Sequence, residues 1–196
     1  MNPNKRVTSE DYEVKVTNIV ASIMFPCRIN LKKVNRVIEN TEYIPEQFPG
    51  LVLRLDKPRV SLLMFESGRI VCTGAMKAGD IDAAVKRLTK MLKKKGMRLS
   101  SPPKIEVQNI VSNGSYRGFI DLDWLHTAVP STVYQTKQFP GLKYAMDNPK
   151  VVFLLFANGK FVCAGAKNYK QLHEGIRKML PILKDKGAFI PYEIHL

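Results

Sequence analysis

Four phenylalanines and two asparagines have the spacing in this chain that suggests chemistry. Phe48 and Phe65 stand 17 residues apart, and so do Phe139 and Phe156. The second pair follows the first at an offset of 91, as Asn109 follows Asn18. Phe48 and Phe139 each lie between Gln and Pro-Gly, a loop context in which simple core burial fits poorly. Phe65 and Phe156 stand in apolar strands, where core packing is the competing reading. Asn18 and Asn109 interrupt apolar strands, and a side-chain amide there serves either a neighbouring backbone group or a ligand. Catalytic chemistry has little to work with. His126, His173 and His195 are scattered, and no HxxxH, carboxylate pair, GxSxG or phosphate loop occurs, so the chain reads as a non-enzyme without metal or cofactor.

These residues are positioned by a stretch present twice. Gln47–Ala75 returns as Gln138–Ala166 with no gap, and from Tyr43 to Ala75, 16 of 33 positions match their mates. The repeat is too long for a solenoid unit and near the size of a small domain. The joint at Ser101–Lys104 is short, which favours one body with a continuous sheet and a pseudo-two-fold axis. The expected division is a polar arm over 1–13, repeats over 14–101 and 102–187, and a tail over 188–196.

The net charge is +14 over 196 residues. The first repeat (14–99) carries +10 and the second (105–190) +5. A balance this basic argues for a polyanionic partner, nucleic acid or an anionic membrane. No apolar run approaches about 20 residues, so no membrane-spanning segment is expected, and the polar start does not read as a signal peptide. Cys27, Cys72 and Cys163 are odd in number and lack CxxC spacing. Buried reduced thiols fit better than zinc ligands or a nucleophile.

In chain order, Val14–Ile23 reads as a strand with Val14, Val16, Asn18 and Val20 on one face. Asn30 and Asp121 read as helix N-caps. Leu51–Leu55, Arg59–Phe65 and Arg69–Thr73 read as strands, and Asp80–Lys95 as a helix ended by Gly96. Pro181 is expected to kink the matching second helix. Each repeat is then strand, helix, three or four strands, long helix. Two helices cover only one face of a sheet, so the other, rich in Val, Leu and Phe, is left as a binding surface. It should hold Asn18, Val20, Leu63, Phe65, Val71 and Thr73, with Asn109, Val111, Leu154, Phe156, Val162 and Ala164. Arg54, Arg59, Arg69, Lys150, Lys160 and Lys167 flank it. An apolar, gently polar, positively rimmed surface fits a DNA minor groove, where the acceptors are A N3 and T O2 and paired rings can wedge between base steps.

The motifs QNIV (108–111), EQFPGLVLRL (46–55), SGRIVCTGA (67–75), QFPGL (138–142) and PILK (181–184) carry a resemblance. The chain resembles the TATA-box-binding protein family over residues 14 to about 187. The resemblance implies an α+β saddle: one curved antiparallel sheet of two repeats, helices on the convex face only, and a concave face that grips and bends A·T-rich promoter DNA as a monomer. Phe48 with Phe65 and Phe139 with Phe156 would intercalate, with Pro49 and Pro140 beside them. Asn18 and Asn109 would hydrogen-bond at the centre, and Thr73 would assist in one half. Val20, Val71, Val111, Val162, Leu63 and Leu154 would line the groove. Ser67, Asn158, Arg54, Arg69, Lys160 and Lys167 would meet the backbone, with Arg59 and Lys150 on the rim. The location implied is the nucleus, or the cytoplasm where there is none.

The departures are specific. Ala164 stands where the family has a second Thr, Ala145 where the mate of Arg54 would reach phosphate, and Met76 replaces a Lys. The second loop reads YQTK, with Tyr134, Gln135 and Lys137, in place of a YEPE segment whose acids meet the B-type initiation factor. The first loop keeps YIPE, ending at Glu46. Either the partner is charge-swapped or docking shifts to the first loop. Lys86, Lys90 and Lys93 are a solvated helix face or a further docking surface for transcription factors. The rival function is a paralogue that binds DNA weakly and competes for partners. Trp124 and the tail FIPYEIHL have no family counterpart.

Overall fold

Asn30 and Asp121 start their helices as their type and position require. Asn30 Oδ1 accepts from the Lys33 N–H at 2.9 Å, and Asp121 Oδ1 from the Trp124 N–H at 2.9 Å. Each satisfies one of the donors a helix leaves open at its start. The structure is a computed structural model that describes residues 7–8, 11–97, 99 and 102–192. The elements of the first half are β1 (Val7–Thr8), β2 (Tyr12–Met24), α1 (Leu31–Val37), β3 (Thr41–Glu42), β4 (Leu51–Asp56), β5 (Arg59–Met64), β6 (Arg69–Ala75) and α2 (Ala78–Lys94). Those of the second are β7 (Lys104–Tyr116), β8 (Gly118–Ile120), α3 (Leu122–Ala128), β9 (Thr132–Val133), β10 (Leu142–Met146), β11 (Val151–Leu155), β12 (Lys160–Ala166), α4 (Tyr169–Asp185) and β13 (Phe189–Pro191).

The chain divides into two compact units. The first is residues 18–108; the second is 1–17 together with 109–196. β2 therefore gives Tyr12–Thr17 to the second unit and Asn18–Met24 to the first. In the first unit the antiparallel order is β3-β4-β5-β6-β2, and in the second β9-β10-β11-β12-β7. β8 pairs separately with β13 in the second unit.

Strand alternation sends one set of side chains inward in each unit. Leu51, Leu53, Leu55, Val60, Leu62, Met64, Ile70 and Cys72 are buried in the first. α2 packs on β6 and adds Ile81, Ala84, Leu88 and Leu92 to that core. In the second unit Leu142, Val151, Phe153, Leu155, Phe161 and Cys163 are buried with Leu172, Ile176, Met179 and Leu183 of α4. The fold is α+β as expected, with the long helix of each unit packed against its own antiparallel layer.

Three local expectations need correction. β2 begins at Tyr12, before the expected Val14, because the Tyr12 ring is buried edge-on to Tyr116 at 6.3 Å. Val14 and Val16 do not share a face with Val20: both are buried, whereas further along Ile19, Ala21 and Ile23 are. The alternation changes phase at Thr17–Asn18, next to a register irregularity between β2 and β6 that shifts the inward set by one. α2 starts at Ala78, two residues early, because Asp80 Oδ2 accepts from the Met76 and Lys77 N–H groups. Pro181 lies inside α4, exposed to solvent. The expected arm and tail are only partly open to view: residues 1–6, 9, 10 and 193–196 lie outside the described ones.

Candidate nucleic-acid interface

The face of each layer opposite its long helix is built from cross-strand rows. In the first unit, Ser22 stands opposite Val71, Val71 opposite Leu63, and Leu63 opposite Val52. A second row runs Thr73, Ser61, Arg54. In the second unit the rows are Asn113, Val162, Leu154, Lys143 and then Ala164, Val152, Ala145. Val71, Leu63, Val52, Val162, Leu154 and Val152 are all half-exposed, unlike the inward set. Val20 and Val111 are half-exposed too, at the start of these faces.

Each ring pair forms within its own unit. Phe48 and Phe65 stack edge to face with centroids 6.0 Å apart at 66°, and Phe139 and Phe156 at 5.8 Å and 66°. Phe48 is 45% exposed and Phe139 43% exposed, so neither is core. Covering the exposed part of each ring would contribute a fraction of the roughly 1.5–3 kcal/mol that full burial of a Phe side chain is worth. Gly50 and Gly141 make the pairs possible. A Cβ at Gly50 would come 2.5 Å from Phe48 Cε1, and one at Gly141 2.6 Å from Phe139 Cε1. Nothing in the spacing of the phenylalanines had pointed to these glycines; their place after Phe-Pro in both repeats was the available signal.

Asn18 and Asn109 do the same job in the two units. Asn18 Oδ1 accepts from the Gly74 N–H at 2.8 Å, and Asn109 Oδ1 from the Gly165 N–H at 2.7 Å. Gly74 (φ +94°) and Gly165 (φ +99°) are bulge residues in a conformation glycine favours. Because a backbone N–H can only donate, the amide must present its oxygen to it. Its NH2 group is then left to donate elsewhere.

The family described as "Transcription factor TFIID (or TATA-binding protein, TBP)" matches residues 13–95 and again 104–186. The chain belongs to the TATA-binding protein family. It is 40% identical to a TATA-box-binding protein of Sulfolobus acidocaldarius over 92% of this chain and 91% of that one. It is 41% identical to one of Thermococcus sibiricus, over 92% of this chain and 97% of that one. Among solved structures it is similar to Methanococcus jannaschii TBP, with a TM-score of 0.83, 40% identity, and 88% and 98% of the two chains covered. The family is one of transcription factors that bind DNA, and the doubled match agrees with the repeat in the sequence.

The remaining residues singled out by the TATA-binding protein resemblance divide by location. Pro49 and Pro140 are exposed beside the rings, and Thr73 is exposed on the open face. Arg59, Arg69, Lys150, Lys160 and Lys167 are exposed. Ser67 Oγ and Asn158 Oδ1 accept from Arg69 and Lys160 N–H groups in matching turns. Arg54 is not a free cation, since its Nη1 lies 3.0 Å from Glu42 Oε2. Glu46, Gln135 and Lys137 are exposed in their loops, with Tyr134 half-buried. Lys86, Lys90 and Lys93 are exposed on α2. The buried thiols are inert: burial pushes Cys72 up to about 11, with Asp80 adding to it, and burial pushes Cys163 up to about 12.

Proposed function

We propose that the chain binds A·T-rich promoter DNA through the minor groove, bends it, and thereby nucleates assembly of the transcription machinery. The observation that carries this is the pair of solvent-facing ring couples, one on the open face of each unit. Asn18 and Asn109 donate from Nδ2 to N3 and O2 acceptors, which do not demand one base order. Val20, Val71, Val111, Val162, Leu63 and Leu154 press on the sugars and crowd the guanine amino group. The ring pairs unstack a base step each, at a cost of a few kcal/mol that burial of the rings nearly cancels. Net affinity then comes from the other apolar contacts and from phosphates met by Arg59, Arg69, Lys150, Lys160 and Lys167. The chemistry is binding rather than catalysis, and its place is with the genome: the nucleus, or the cytoplasm of a cell that has none.

Titration of an A·T-rich and a G·C duplex of equal length, at several salt concentrations, tests this. Selective binding to the A·T duplex is expected. Neutralisation of about five phosphates gives a log-log salt slope near −4.5. Equal binding to both duplexes rejects it.

A second reading, a relative that competes for transcription factors and binds DNA weakly, is favoured by one feature. The loop at Tyr134–Lys137 presents an exposed lysine where Glu46 stands in the first loop. A B-type factor that reads acidic residues meets a reversed charge there. Pull-down of such a factor with Glu46→Arg and Lys137→Glu variants tests loop docking; no change from either removes it.

A further inference from the structure

The two open faces differ in charge where the repeats diverge at three mated positions. In the first unit Glu42, Val52 and Arg54 lie together at the edge: Glu42 is opposite Val52, and Arg54 is ion-paired to Glu42 at 3.0 Å. Their mates in the second unit are Val133, Lys143 and Ala145. Lys143 stands opposite both Val133 on β9 and Leu154 on β11, so it shares the open face with Leu154 and Val162. The first edge therefore sums to zero and the second to +1. Lys143 is exposed, and no carboxylate is bonded to it among the described residues.

Lys143 also stands beside the wedge. Gly141, whose absent Cβ makes room for Phe139, is two residues before it, about 7 Å along an extended strand. A lysine side chain spans most of that distance. The Lys143 ammonium thus has three donors to turn toward groove acceptors next to the base step the second ring pair enters. A narrow A·T groove has the strongest negative potential, and inserted cations favour it.

We propose that Lys143 is a specificity-determining residue that orients the chain on asymmetric DNA, by drawing the second unit to the half of the site with the longer A·T tract. The inference rests on the minor-groove reading above and adds a direction to it. Val52 gives the first unit no equivalent attraction, and Arg54 on the same edge is ion-paired to Glu42.

The test uses the full chain labelled with a donor dye on Cys27, the half-exposed thiol of the first unit. The duplex has an uninterrupted A·T tract in one half and G·C pairs at the outer end of the other. An acceptor is placed at either end in separate samples. The unaltered chain should bind in one orientation about fivefold over the other, a bias well within one discriminating contact. Lys143→Val, which copies the residue of the first repeat, should bring that ratio below about twofold and flatten the salt slope by about 0.9. Lys143→Arg should keep both. An unchanged ratio and slope in Lys143→Val, with A·T selectivity retained, overturns the role of Lys143 alone. Loss of A·T selectivity in the unaltered chain overturns the groove reading and this inference together.

Discussion

Asn18 Oδ1 holds the Gly74 N–H at 2.8 Å, and this bond fixes which end of the amide faces out. The same bond recurs between Asn109 and Gly165 at 2.7 Å. A strand bulge leaves a donor without a ladder partner. The asparagine supplies the acceptor and is itself oriented in return. One interaction thus serves the fold and prepares the binding group.

Asn18→Asp and Asn109→Asp should separate those two roles. A carboxylate still accepts from the glycine N–H, so thermal stability should stay within a few degrees. It has no hydrogen to donate and brings a negative charge to the groove. Affinity for an A·T duplex should fall at least about tenfold for each, which is about 1.4 kcal/mol. Asn18→Ala differs in losing both: affinity falls, and the lost hydrogen bond to the exposed glycine N–H costs about 0.5–1.5 kcal/mol of stability. Calorimetry and duplex titration read the two effects apart.

Gly50→Ala and Gly141→Ala should disturb the ring pairs and spare the rest of the fold. A new methyl at 2.5–2.6 Å from a ring carbon forces Phe48 or Phe139 to move. Both rings face solvent and have room to swing. Melting temperature should change little, and duplex bending should fall in the altered half. Fluorescence transfer between duplex ends measures it.

Much of this was legible in the sequence because both units obey strand alternation. The offset of 91 paired Phe48 with Phe139 and Asn18 with Asn109, and the period-two pattern put Leu63, Val71, Leu154 and Val162 on the open side. The pattern failed at Thr17–Asn18, where the alternation of β2 changes phase and Val14 and Val16 turn inward; an irregularity in strand pairing leaves no mark in residue type. It placed Arg54 on the rim but gave no sign of its ion pair with Glu42, which lies on a two-residue strand too short to announce itself. Lys143 was passed over because its mate, Val52, is apolar, and a mismatch in a repeat is easily taken for drift. Trp124 found its place only in three dimensions, with its indole N–H donating to the Lys186 carbonyl at 2.7 Å.

The cysteines offer a check on the burial of the two layers. With Cys72 pushed up to about 11 and Cys163 to about 12, neither forms appreciable thiolate near pH 8. A thiol reagent should modify one equivalent, at Cys27, in the native chain and three after denaturation. Rapid native modification of all three would mean that the inward faces of β6 and β12 are open to solvent.

The ring pairs are the centre of the account, and end-to-end fluorescence transfer on an A·T-rich duplex tests them most directly. Binding of the unaltered chain should shorten the distance between duplex ends. A variant with Phe48, Phe65, Phe139 and Phe156 all replaced by Ala should remain folded and leave the duplex straight. A four-alanine variant that bends DNA as fully as the unaltered chain would contradict the account.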